Sequence, residues 1–207
     1  MLSTFLRALV LGFSVAAPVG PIGILCIRRT LTDGRAVGFA CDLGAATADT
    51  LYGLAAGVGL SAFSTAIAAV DGPMRLGGGL YLGWLGVRTF VAPPSAEAAA
   101  VSAGARWSAW WSTFLLTLTN PATILAFAAM FAAIVPAGGG GPAWQLAPVL
   151  AGGVFLGSAA WWLLLSGAAD RLRTRLGPAH LVWVNRAAGV MLVGFAAWAL
   201  GTLALKP

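Results

Sequence analysis

No charged side chain interrupts the chain between Arg106 and Asp170. That stretch is too long for one membrane helix, which needs roughly 20 apolar residues to cross a hydrocarbon core of about 30 Å. The segment PAGGGGPAWQLAP, Pro136 to Pro148, carries the prolines and glycines that divide it in two. With the other apolar runs, six spans are expected, near residues 4–27, 36–60, 73–92, 108–134, 146–168 and 184–205. Charged residues make up 9% of the 207. A soluble domain carries roughly 25%, so this chain cannot cover a water-facing surface. The expectation is an all-α integral membrane protein with the lipid bilayer as its solvent. A cleaved N-terminal signal is not expected, because Pro18 would become the first mature residue and the apolar run continues past a typical signal core.

The net charge of +6 raises the question of a nucleic-acid partner. The basic residues are scattered between apolar runs and form no dense patch, so none is expected. They are better read as topology signals. Arg28, Arg29 and Arg35 follow the first span, Arg88 and Arg106 flank the loop after the third, and Arg171, Arg173, Arg175 and Arg186 lie between the last two. Arg7, Arg75 and Lys206 fall on the other side. By the positive-inside rule both termini then lie outside the cytoplasm. Cys26 and Cys41 are too few for a disulfide framework. His180 is expected in a loop between basic runs.

The chain reads as two related halves, repeat one about 1–92 and repeat two about 106–207, joined by a linker of about 93–105, within a single transmembrane domain, 1–207. RLGGGLYLGWLG, from Arg75, resembles RAAGVMLVGFAA, from Arg186, with glycines at matching offsets. LGAATADTLYG, from Leu43, begins like LGSAAWWLLLSG, from Leu156. Three spans per half would place the second half upside down, giving two inverted three-helix repeats. Inverted repeats with Gly/Pro-interrupted helices in matching places point to a transporter's binding site.

Those interruptions are Pro18 and Pro21 in the first span and Asn120-Pro121 in the fourth. Proline has no N–H, so the carbonyls of Ser14, Ala17 and Thr117 lose their helical donors. Gly20 and Gly23 permit unusual backbone angles. Two discontinuous helices crossing near mid-membrane would offer carbonyls to an ammonium group and half-helix N-termini to a carboxylate. An amino acid carries both groups. Simple proline kinks repaired by neighbouring helices are the alternative.

The second span carries Asp42 and Asp49, seven residues apart and so on one helix face about 10 Å apart along the axis. Ala45, Ala46, Gly53 and Gly57 continue that face with small residues suited to close packing. An acidic residue at mid-bilayer costs roughly 2.5–3.5 kcal/mol on insertion scales. Such residues generally face the bundle interior and mark ion, proton or substrate paths. Asp49, near mid-bilayer, is expected to carry a proton or pair with a substrate amine, and Asp42, nearer the cytoplasm, to act as a relay or entry ligand. A carboxyl hydrogen-bonded to Thr47, Tyr52 or Asn120 is the structural alternative. Gly53-x-x-x-Gly57 and Gly79-x-x-x-Gly83 fit either packing within the bundle or a homodimer. Trp161 and Trp162 sit deeper and could line a cavity, with packing towards lipid the favoured role.

Over essentially its whole length the chain resembles the LysE/RhtB family of amino-acid exporters. The resemblance rests on PVGP in the first span, DLGAATADTLY in the second, GGGLYLGWLG in the third, TLTNPATILAF in the fourth and LGSAAWWLLLS in the fifth. It implies export of amino acids or related metabolites, driven by the proton gradient, from a bacterial inner membrane. Two departures stand out: Val19 separates Pro18 from Gly20 where relatives often have Pro-Gly-Pro, and Ala122 follows Pro121 where many have lysine.

The combined expectation is a secondary exporter of a small zwitterionic metabolite, with Pro18, Gly20, Pro21, Thr117, Asn120 and Pro121 shaping the site and Asp49 and Asp42 handling protons. No cofactor is implied. A divalent metal-ion exporter using Asp42, Asp49, Cys26 and Cys41 is the nearest rival, although such metals favour richer Cys/His sets. An enzyme built on Ser166 is not expected, because the chain offers no membrane-embedded histidine to activate it.

Overall fold

The computed structural model describes residues 1–18, 20–58, 60–92, 103–120, 123, 124, 126, 127, 146–173 and 175–204. All regular structure among them is helical. The helices are α1 (Leu2–Ala16), α2 (Pro21–Asp33), α3 (Arg35–Val58), α4 (Leu60–Val91), α5 (Ala103–Leu118), α6 (Ala147–Arg173) and α7 (Pro178–Ala204).

The first expected span is two helices meeting at 77°. Pro18 cannot continue α1, and Pro21 occupies the first position of α2, where its fixed φ suits a helix start and its missing N–H costs nothing. Pro21 therefore begins a helix rather than interrupting one. Gly20, the N-cap, has φ −99° and ψ −161°, an extended conformation open to other residues, so the expected need for an unusual angle does not hold there. That need falls on Gly34, the C-cap of α2, with φ +95°.

Other boundaries also move. α4 runs back from the expected start at 73 to Leu60, with Pro73 inside it. Pro178 starts α7, again at a helix beginning, so His180 sits exposed in its first turn rather than in a loop. Among the described residues, α6 and the Ala179–Gly201 part of α7 are long and apolar enough to cross a membrane, and α1 with α2 makes a third, broken span. The expected segment 128–134 and the break at Pro136–Pro148 lie largely outside the described residues.

Small residues set the packing. α1 lies along α6, and α4 along α7, while α3 is central, in contact with α2, α5 and α6. A Cβ at Gly153 would stand 2.7 Å from the Phe5 carbonyl oxygen, so α1 and α6 touch through backbone. At Gly157 a Cβ would strike the Leu9 carbonyl oxygen and stand 2.8 Å from the Phe13 nitrogen. Gly44 repeats that pattern on α5, with the Trp110 carbonyl oxygen and the Phe114 nitrogen, the latter at 3.2 Å. The glycines of Gly79-x-x-x-Gly83 both face α7, with Leu200 and Ala196 as neighbours, and so pack the bundle.

Candidate functional site

The break between α1 and α2 opens onto a cavity of about 650 Å³. Pro18, Gly20 and Pro21 line it from the break, Thr117 and Asn120 from the end of α5, and Asp49 from α3. Leu82, Trp162, Phe195 and Trp198 supply apolar walls. Six of the residues singled out in the sequence therefore border one space. Pro121 lies outside the described residues. Asp42 is not among the lining residues.

Asp49 is buried, and the hydroxyl of Ser158 donates to its Oδ2 at 2.6 Å. That partner, Ser158, stands on α6. Asp42 repeats the arrangement: Ser166 donates to its Oδ1 at 2.8 Å, and its buried Oδ2 has no hydrogen-bond partner. Position rises along α3 as it falls along α6, so the helices run antiparallel with two Ser–Asp rungs. The Thr30 hydroxyl of α2, which donates to the Cys26 carbonyl at 2.8 Å, lies 3.3 Å from the Ser166 hydroxyl and brings a third helix to the lower rung. Ser158 was not legible as a partner, because one hydroxyl in an apolar helix carries no periodic signal. Trp162, expected to face lipid, is buried against the cavity instead, and its indole N–H closes no hydrogen bond. Trp161 packs edge-on against Phe13, centroids 5.4 Å apart.

At the end of α5 the chain turns. The Asn120 N–H donates to the Thr117 carbonyl at 3.2 Å, and Tyr52 of α3 donates its phenol to Leu118 at 2.8 Å and to Thr117 at 3.4 Å. The Thr117 carbonyl is therefore taken, contrary to the expectation that it stands free. Phe127 stacks on Tyr52 with centroids 5.2 Å apart and holds that ring in place. Among the described lining residues, Asp49 alone carries a carboxyl group. Ile22 and Gly23, which also line the cavity, lie in the first turn of α2, where N–H groups lack an intrahelical acceptor and favour negative charge. The cavity thus offers an anion-favouring helix start and a carboxyl group among apolar walls.

The arginines after the first span do more than mark topology. Arg29 donates from Nη1 to Ser112 at 2.8 Å, to the Ala109 carbonyl at 3.1 Å and to the Cys41 sulfur at 3.1 Å. Arg28 donates from Nε to Asn185 at 2.9 Å. For the metal-ion rival, the described residues bring no three His, Cys, Asp or Glu side chains together in a metal-holding group.

The family described as LysE type translocator matches residues 13–201. The chain is 30% identical over 204 residues to the "Chemotactic transduction protein ChpE" of Pseudomonas aeruginosa, covering 97% of this chain and 98% of that one. It is 29% identical over 196 residues to the "Putative amino acid efflux protein YcgF" of Bacillus subtilis, covering 94% of this chain and 93% of that one. No solved structure gives a significant match. With this match over most of its length, the chain belongs to the LysE-type translocators, a family of integral membrane transporters.

Proposed function

We propose that the protein exports amino acids or related small zwitterionic metabolites from the bacterial cytoplasm across the inner membrane, using the proton gradient. The observation that carries this reading is the placing of Asp49 and the first turn of α2 on one cavity of about 650 Å³. A zwitterion presents an ammonium group to the carboxylate and its own carboxylate to the helix start. The apolar walls would receive the side chain. The printed name of the Bacillus subtilis relative, an amino acid efflux protein, agrees with that class of cargo.

A proton would reach Asp49 when the cavity opens to one side and leave when it opens to the other. Its partner Ser158 can donate to a carboxylate or accept from a carboxylic acid, so the pair tolerates both states. Asp42, two turns nearer the expected cytoplasmic end, would serve as the relay. Alternating access would come from rocking one three-helix half against the other. The equivalent backbone contacts of Gly44 on α5 and Gly157 on α1, and the packing of α3 on α6 and α4 on α7, support two inverted halves. Both termini would then be periplasmic.

The test is release from proteoliposomes loaded with a mixed amino-acid pool, read by mass spectrometry. Loss of one or a few amino acids, absent with Asp49→Asn, is the expected result. No loss of any amino acid under any gradient would remove the assignment.

A further inference from the structure

A second cavity, of about 550 Å³, lies away from Asp49 between the ends of α2 and α4 and the start of α5. Arg28, Arg29 and Arg88 line it against the carboxylate of Asp33. The hydrogen-bond partner of Arg28 is the neutral amide of Asn185, reached through Nε, which leaves the terminal nitrogens of Arg28 for another acceptor. Thr89 lines the same cavity, is 2% exposed, and its Oγ1 has no hydrogen-bond partner. A buried hydroxyl left so costs about 1–3 kcal/mol unless a ligand atom reaches it. Forked guanidinium donors with a hydroxyl suit a tetrahedral oxyanion better than a single halide.

The surroundings say which oxyanion. Leu80, Trp84, Val87 and Val91 recur at helical spacing on the outward face of α4, and all are exposed. Val91 also lines the cavity, so this apolar stripe ends at its mouth. The Arg88 guanidinium sits over the Trp84 ring, 5.3 Å from its centroid, as expected where lipid meets headgroup. Basic pockets between membrane helices bind anionic lipid headgroups. We propose that this cavity holds the phosphate of an anionic phospholipid, with an acyl chain lying along the α4 stripe. Through Arg28 and Asn185 the lipid would brace α2, which carries the transport cavity's first turn, against α7.

The experiment is native mass spectrometry of delipidated protein given phosphatidylglycerol or zwitterionic phosphatidylcholine in mixed micelles. Both lipids carry a phosphate, but the choline cation of phosphatidylcholine would face Arg28, Arg29 and Arg88, so phosphatidylglycerol should be retained and phosphatidylcholine stripped. Arg88→Gln with Thr89→Val should weaken that retention tenfold or more, since losing one charge-assisted hydrogen bond alone costs about tenfold. Arg186→Gln, whose guanidinium lies over Trp183 and outside this cavity, should leave it unchanged. If Thr89→Val impairs folding, Arg88→Gln alone, at an exposed side chain, makes the same comparison. Equal retention of the two lipids, or undiminished retention in the variants, would overturn the site. Displacement of the lipid by millimolar sodium phosphate would reassign it to a soluble anion and overturn the lipid.

Discussion

The Ser158 hydroxyl, on α6, lies 2.6 Å from Asp49 Oδ2, on α3, and donates to it beside the larger cavity. Neither residue is near the other in sequence, and the bond joins the two helices that correspond in the proposed halves. Removing the hydroxyl with Ser158→Ala should slow efflux severalfold while the protein stays folded. Ser158→Thr, which keeps the donor, should restore most of the rate, measured in proteoliposomes under one fixed gradient.

Asp42 tests the second rung. Its Oδ2 is already without a partner, so Ser166→Ala would leave both oxygens unsatisfied. A loss of stability of about 1–3 kcal/mol is expected, seen as a lower Tm of the purified protein. Adding Asp42→Asn should recover part of that loss, because the uncharged amide is cheaper to bury.

Gly20 separates stability from transport. An added Cβ there meets nothing within 4 Å, and the backbone angles admit other residues. Gly20→Ala should therefore leave the Tm unchanged, whereas Gly20→Phe, projecting into the cavity, should stop efflux at nearly wild-type Tm. A large fall in Tm for Gly20→Ala would contradict the open space.

Gly44 and Gly157 should behave as a pair. A Cβ at either strikes a backbone carbonyl on the neighbouring helix, which cannot move aside as a side chain could. Gly44→Val and Gly157→Val should each destabilise by about 1–3 kcal/mol or more, to a similar extent, in thermal melts.

Much of this site was legible in the sequence because its signals are local. Prolines at 18 and 21, Asn120, and a carboxylate in an apolar run each conflict with a plain membrane helix, and such conflicts cluster at function. The partners were not legible. Ser158 meets Asp49, and Trp162 meets the cavity, only through the rotation of α6 about its axis, which the α1 contacts at Gly153 and Gly157 fix. Tyr52 takes the Leu118 carbonyl for the same kind of reason: an α3 side chain reaches a turn 66 residues away. The backbone angle misread at Gly20 came from treating Pro21 as an interruption when it is a helix start.

The proposed transport cycle depends on Asp49 coupling cargo to protons. The most direct measurement is efflux of the identified amino acid from proteoliposomes, with and without an imposed pH gradient, in the wild type and in Asp49→Asn. The gradient should accelerate efflux in the wild type and have no effect on the folded variant. Full gradient-driven efflux by Asp49→Asn would contradict that coupling.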